Sequence, residues 1–70
     1  MSKISMAAAR TNAGLTQKEM ADRMGISRET YIKLENGSQK IRASYFIAFC
    51  HITGFELDDI SLSEGQLKVD

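Results

Sequence analysis

The side chains of this 70-residue chain that could do covalent or metal chemistry are few. Cys50 and His51 are its one cysteine and one histidine, and they stand alone in an apolar segment. A metal site needs a larger cluster of such ligands. Asp58 and Asp59 are better placed to start a short helix than to act as an acid and a base. Because no nucleophile–base pair, phosphate loop or metal motif occurs, we expect no enzyme activity, metal, cofactor or small-molecule ligand.

The charged side chains divide unevenly along the sequence. Residues 1–42 hold eight Lys and Arg against four Asp and Glu, a net charge of +4, and residues 43–70 hold one against five, a net charge of −4. This asymmetry suggests one basic and one acidic face, which favours a nucleic-acid partner. The net charge of zero argues the other way, and small soluble proteins often divide their charge unevenly, so charge alone does not decide.

Length and composition bound the class of protein. Seventy residues form one domain at most, and 43% hydrophobic residues can build a small core. A single cysteine excludes an internal disulfide and suits a reducing compartment. The N-terminus lacks the apolar region of a signal peptide, and no apolar run is long enough to span a membrane. We therefore expect a cytoplasmic protein with no membrane partner.

Five glycines divide the chain into segments that are typical of helices. The predicted helices are residues 2–12, residues 16–24, residues 28–36 with Ser27 as N-cap, residues 44–53, and a short fifth helix around Asp58 and Asp59, with apolar residues at Phe55, Leu57 and Ile60. Residues 38–42 are expected to form a polar loop. At the start of the second helix, Thr16 and Glu19 fit a capping box, and Leu15 and Met20 have the spacing of a hydrophobic staple.

Residues 17–34 contain the most informative pattern. Two short helices joined by a turn of about four residues that contains a glycine form a helix-turn-helix arrangement. Ala21 must be small because the helices cross there, and Gly25 must allow a tight turn with positive φ. The remaining contact positions must be apolar to fix the angle between the helices, and all of them are: Met20, Met24, Ile26, Tyr31 and Leu34.

This pattern resembles the phage repressor and Cro family of helix-turn-helix proteins. Residues 15–37 carry the resemblance as LTQKEMADRMGIS..TY.KLENG, and Arg10 and the run GFELDDI at residues 54–60 agree with it. The resemblance covers about residues 4–60. It implies an all-α fold, a compact five-helix bundle of the lambda-repressor-like type, with a DNA-binding domain at residues 1–61 and a C-terminal tail at residues 62–70. Residues 28–36 would be the recognition helix, lying in the major groove.

The resemblance also implies which residues read bases. The matching positions are Ser27, Arg28, Glu29 and Lys33. Arg28 could donate two hydrogen bonds to a guanine, and Glu29 could accept one from a cytosine amine. The alternatives are that Arg28 and Lys33 are ordinary solvated residues, and that Glu29 only complements the helix N-terminus.

Phosphate contacts and one internal ion pair follow from the same resemblance. The residues that match phosphate-contacting positions are Gln17, Asn36, Lys40 and Arg42, and such contacts position a protein on DNA without reading sequence. Arg10 and Glu35 match a pair that forms a salt bridge between the first and third helices. The chain departs from the family in two places: the loop before the fourth helix lacks a proline, and Ile32 is apolar where relatives usually carry a polar residue. Ile32 could contact a thymine methyl or the stem of Arg28.

The function that these observations favour is sequence-specific regulation of transcription. We expect a small phage or bacterial repressor that binds an inverted-repeat operator in double-stranded DNA as a homodimer. The alternative is a protein-binding module on the same fold, an antitoxin or an anti-repressor, since fold does not settle function. The apolar residues of the tail, Leu62, Leu67 and Val69, could form a dimer contact or dock on the same chain.

Overall fold

A computed structural model describes residues 3–62 and 65–68 of the chain. Within these residues four α-helices surround one core, and a single 3-10 turn and two short strands complete the fold. The elements are α1 (Met6–Asn12), α2 (Gln17–Met24), α3 (Arg28–Asn36), β1 (Ile41–Arg42), α4 (Ala43–Thr53), the 3-10 turn (Leu57–Asp59) and β2 (Leu67–Lys68).

Hydroxyl side chains begin the first three helices. Ser5 accepts a hydrogen bond from the Ala8 N–H, and Ser27 accepts one from the Thr30 N–H. Thr16 accepts from the Glu19 N–H at 3.1 Å while the Glu19 carboxylate accepts from the Thr16 N–H at 2.9 Å, which confirms the predicted capping box. The start predicted for the first helix was wrong. The cap at Ser5 begins α1 at Met6, and the predicted start, Ser2, lies outside the described residues.

The core lies where the four helices meet. Its largest fully buried side chains are Tyr31 and Leu34 of α3, Met20 of α2, Phe49 of α4 and Ile41 of β1. The helical spacing of the apolar residues accounts for all of these except Ile41. The other members of the core cluster are Met6, Ala9, Ala21, Met24, Phe46, Cys50 and Ile60.

The predicted fifth helix is a single 3-10 turn. The Asp59 N–H donates to Glu56 O at 3.0 Å, which closes the turn, and the Asp59 side chain accepts from the Glu56 N–H at 3.0 Å. The chain cannot continue as a helix because Ile60 pairs with Ile4 in a parallel bridge. The Ile4 N–H donates to Asp59 O at 2.9 Å, and the Ser61 N–H donates to Ile4 O at 2.7 Å. The short fifth helix expected here is thus present as a three-residue 3-10 helix, and a fifth α-helix is not confirmed.

The all-α expectation also missed a small parallel sheet. Ile41 and Arg42, predicted to lie in a polar loop, pair with Leu67 and Lys68 in register. Ile41 is fully buried, and its N–H donates to Gln66 O at 2.9 Å. A buried backbone N–H needs an acceptor, and the C-terminal segment supplies it.

The described part of the C-terminal tail docks on the same chain. Gln66 is buried, and its side-chain amide donates to Leu34 O at 2.9 Å, a carbonyl in the last turn of α3 that has no partner within the helix. Leu62 packs against the core and Leu67 is 40% exposed, whereas Val69 lies outside the described residues. None of the helices formed by residues 3–62 and 65–68 has the length and apolar character needed to cross a bilayer.

Replacement of Gln66 should destabilise the domain. Gln66→Ala leaves Leu34 O buried without its donor, and we expect the free energy of unfolding to fall by about 1–3 kcal/mol. Chemical denaturation followed by circular dichroism measures this change. The matched control is Gln39→Ala at an exposed residue, which should change stability by less than about 0.5 kcal/mol. Equal stability of both variants would show that the tail does not dock as described.

Candidate nucleic-acid interface

The turn between α2 and α3 sets the direction of α3. Gly25 adopts the left-handed conformation with φ 73°, and its N–H donates to Asp22 O while the Ile26 N–H donates to Ala21 O. The positive φ predicted for Gly25 is confirmed, and a side chain there would be strained. Ala21 is almost fully buried, and its small side chain lets the two helices approach closely. The chain thus reverses between α2 and Ser27, the N-cap of α3.

A polar cluster centred on Glu35 joins α3 to the two preceding helices. Arg10 Nε donates to Glu35 Oε2 at 2.8 Å, and Arg10 Nη2 donates to Oε1 at 3.3 Å, so the expected ion pair is present. Gln17 Nε2 donates to Oε1 at 3.1 Å, and the Tyr31 hydroxyl donates to Oε2. Arg10 Nη1 also donates to Leu15 O at 2.8 Å. The carboxylate therefore accepts four hydrogen bonds, from residues of α1, α2 and α3.

The cluster shifts the pKa values of its members. Burial alone would raise the pKa of Glu35, but the hydrogen bonds from Arg10, Tyr31 and Gln17 outweigh it, so this pKa lies below its ordinary value. Burial and the hydrogen bond to Glu35 raise the pKa of the Tyr31 hydroxyl strongly. The hydrogen bond to Glu35 raises the pKa of Arg10. At neutral pH the cluster therefore holds a carboxylate, a guanidinium and a neutral hydroxyl.

The side of α3 opposite the core is open to solvent. Arg28, Glu29, Lys33 and Asn36 are exposed there, and Ile32 is half-buried between them and the core. Within the described residues, no hydrogen bond or salt bridge involves the charged groups of Arg28, Glu29 and Lys33. These groups can reach a ligand without first breaking a bond to another described residue.

Ser27 is the predicted base-reading residue whose hydroxyl already has a structural role. It accepts from the Thr30 N–H at 3.1 Å and donates to the Thr30 hydroxyl at 2.9 Å. The hydroxyl is exposed and keeps one acceptor position for a further donor. Its first role is to begin α3.

The residues expected to contact phosphate lie in two groups. Gln17 is half-buried at the start of α2, and one of its N–H groups is used by Glu35. Asn36 ends α3 and accepts from the Ser38 N–H through Oδ1 at 2.9 Å. Lys40 and Arg42 are both exposed and line one cleft beside Thr30 of α3. The chain thus brings Lys40 and Arg42 to the edge of the helix that carries Arg28.

One further cation in this cleft was missed from the sequence. Lys68 of β2 lines the same cleft, because β2 pairs with β1 and Lys68 is the register partner of Arg42. Its sequence position, in the acidic part of the chain and 26 residues after Arg42, gives no local signal of this proximity. Only the strand pairing identifies it.

Cys50 and His51 do not belong to this surface. Cys50 is buried, and burial together with the nearby Asp59 and Glu56 carboxylates raises the pKa of its thiol, whereas His51 is exposed. Among residues 3–62 and 65–68, no three His, Cys, Asp or Glu side chains lie close enough to hold a metal ion.

The chain matches a known protein family. A family model described as helix-turn-helix matches residues 6–60 of the chain, which is the stretch from the start of α1 to the bridge at Ile60. No curated protein and no solved structure matches the chain significantly. The matched stretch contains the Glu35 cluster, the turn at Gly25 and the open face of α3.

Loss of the Arg10–Glu35 pair should strongly destabilise the domain. The two side chains are only 16% and 8% exposed, and removing one partner of a buried pair costs about 3–5 kcal/mol. Arg10→Ala should therefore lower the melting temperature sharply. The control is Lys18→Ala, which breaks the Lys18–Asp22 pair at side chains that are 70% and 64% exposed, and it should cost about 0.5 kcal/mol or less. Similar melting curves for the two variants would contradict the cluster.

The same cluster predicts an acid-dependent loss of stability. The pKa of Glu35 is lowered on folding, so its contribution is complete above its ordinary pKa near 4.5 and is lost as the pH falls through the folded value. The difference in unfolding free energy between the wild type and Glu35→Gln should therefore be largest near pH 7 and shrink below about pH 4.5. Urea titrations between pH 7 and pH 3 measure it. A constant difference over that range would mean that Glu35 does not accept these bonds.

Proposed function

The chain belongs to the helix-turn-helix family of the lambda-repressor and Cro type, a family of DNA-binding transcription regulators, and we propose that it represses transcription by binding a specific inverted-repeat operator as a homodimer. The observation that carries the proposal is the open face of α3. Three charged side chains, which have no partners among the described residues, stand on a short helix whose opposite side is fixed by the core and by Glu35. Such a surface suits direct contact with base edges.

The proposed base contacts use the first half of α3. Arg28 is suited to donate two hydrogen bonds to guanine O6 and N7, and Glu29 to accept one from a cytosine amine. Ser27 and Lys33 flank these two and complete the base-reading set. Because the helix is short and rigidly held, a change at one of these residues should affect only the base pairs next to it.

The proposed phosphate contacts surround α3. Gln17 and Asn36 offer amide donors, and Lys40 and Arg42 offer positive charge beside the helix. These groups would hold the domain at a fixed depth in the groove and carry no sequence information. The net charge of +4 in residues 1–42 supports the orientation of this side toward DNA.

The proposed homodimer has a candidate contact surface away from α3. The most exposed large apolar side chains of the described residues, Ile47, Leu57 and Leu67, all line one groove of about 400 Å³. Lys3 and Asp58 also line it, and these opposite charges can pair when two identical surfaces meet across a two-fold axis. A second copy of the chain is thus the occupant that this groove suits.

A protein partner is the second candidate function. The net charge of −4 in residues 43–70, together with the apolar groove that these residues largely line, favours a basic protein surface as the partner. This function would use the apolar groove, which no residue of α3 lines among those described. An antitoxin or an anti-repressor would fit it.

Selection of bound duplexes from a random pool tests the proposed function. The full chain at low salt should enrich an inverted repeat, because two copies of α3 read two half-sites related by two-fold symmetry. Enrichment of a single half-site would contradict the homodimer but would still support sequence-specific DNA binding. If no sequence is enriched and no duplex is bound at 50 mM salt, the protein-partner function is favoured.

Base reading and phosphate contact can be separated with two variants. Arg28→Ala should weaken binding to the selected site by about 1–3 kcal/mol and relax the preference at one base pair in each half-site, with much less effect on random DNA. Lys40→Ala should weaken binding to both kinds of DNA by a similar factor and lower the salt dependence by about one unit per subunit. Fluorescence anisotropy at several salt concentrations measures both effects. The opposite pattern would show that the docking orientation is wrong.

A further inference from the structure

A cationic cleft borders α3 on the side of the small sheet. Its volume is about 340 Å³, and three of the side chains that line it are Lys40, Arg42 and Lys68. The polar side chains of Thr30, Gln39 and Tyr45 line it as well, and among residues 3–62 and 65–68 no carboxylate does. Since Thr30 belongs to α3, the cleft adjoins the helix that carries Arg28 and Lys33.

The strand pairing brings Lys68 into the cleft. Arg42 and Lys68 are register partners in the parallel sheet, and partners in neighbouring strands lie about 5 Å apart with their side chains on the same face. Leu67, the preceding residue, lines the apolar groove instead. This is the alternation expected for a strand, in which successive side chains point to opposite faces.

The position of the strand is well fixed. Its neighbour Gln66 accepts from the Ile41 N–H through its backbone carbonyl at 2.9 Å, and its side-chain amide donates to Leu34 O at 2.9 Å. One residue thus ties β2 both to β1 and to α3. Lys68 is held next to the recognition helix by contacts that do not involve its own side chain.

The described residues that line the cleft carry positive charge only. Within the part of the chain that the structure describes, no carboxylate forms a salt bridge with Lys40, Arg42 or Lys68. Three like charges around one cleft repel each other, and a multivalent anion relieves that repulsion. The hydroxyl groups of Thr30 and Tyr45 offer neutral donors to the same anion.

We propose that Lys68 is a DNA-contacting residue, and that the cleft formed by Lys40, Arg42 and Lys68 binds consecutive phosphates of the DNA backbone. The C-terminal strand is then part of the DNA interface as well as of the fold. This inference rests on the proposed function, because its ligand is the backbone of the same duplex that α3 reads. It extends the interface beyond residues 6–60, where the family match ends.

The salt dependence of DNA binding by the full chain tests this inference. Lys68→Gln should reduce the slope of log K against log salt by about 0.9 per subunit, the value for one lost phosphate contact, and should weaken selected and random duplexes by the same factor. Lys68→Arg should keep the slope. The matched control is Arg23→Gln, which removes one positive charge from an exposed residue of α2 that lines neither the cleft nor the apolar groove, and it should leave the slope unchanged.

The outcomes separate this inference from the proposed function. If the wild type binds duplex DNA and Lys68→Gln has the same slope as Arg23→Gln, the contact at Lys68 is overturned and the proposed function stands. If Lys68→Gln binds more weakly with an unchanged slope, Lys68 acts only through the fold, and the inference is again overturned. A wild type that binds no duplex at 50 mM salt overturns both. Thermal melting of each variant checks that all are folded at the temperature of measurement.

Discussion

The arrangement of the first three helices depends on the hydrogen bonds that the carboxylate of Glu35 accepts. This carboxylate accepts two hydrogen bonds from Arg10 of α1, one from Gln17 of α2 and one from Tyr31 of its own helix. A buried carboxylate that loses such donors is strongly destabilising, so the three helices can move apart only at high cost. The apolar core supplies most of the stability of the fold, but it tolerates small shifts of one helix against another. Hydrogen bonds do not tolerate such shifts, because they need a narrow range of distance and angle. Glu35 therefore fixes where the open face of α3 lies.

The C-terminal segment also holds α3 in place. Gln66 donates to Leu34 O, one residue before Glu35, from the side of α3 that faces the sheet. The helix is thus fixed near its end from two directions, by the Glu35 cluster and by Gln66. Both contacts give hydrogen-bond partners to groups that would otherwise be buried without one. Hydrogen bonds are directional, whereas apolar packing in the core is not. A substitution at Gln66 would therefore affect the position of α3 directly, through its hydrogen bond to Leu34 O, and not through the packing of the core.

Local features such as caps and turns could be predicted from the sequence, whereas backbone pairing between distant residues could not. The capping box at Thr16, the turn at Gly25 and the N-cap at Ser27 each depend on residues within a few positions of one another, and all three are found. The pairing of Ile41 with Leu67 and of Ile4 with Ile60 joins residues far apart in sequence through backbone groups, which carry no residue signature. The Arg10–Glu35 pair was expected from family resemblance alone. The base-reading and phosphate-contacting residues stay predictions, since their roles depend on a ligand.

The net charge of zero bears on how a DNA-binding domain of this kind would find its site. Long-range attraction to DNA follows net charge and its distribution, and the acidic residues 43–70 offset the basic residues 1–42 at a distance. Beyond a Debye length of about 8 Å in physiological salt, the two sets largely cancel or are screened. Close to the duplex the cancellation ends, because the cleft of Lys40, Arg42 and Lys68 adjoins α3 and no carboxylate of the described residues lines it. Under the proposed function, attraction therefore becomes strong only in the docked orientation, which favours specific over non-specific binding.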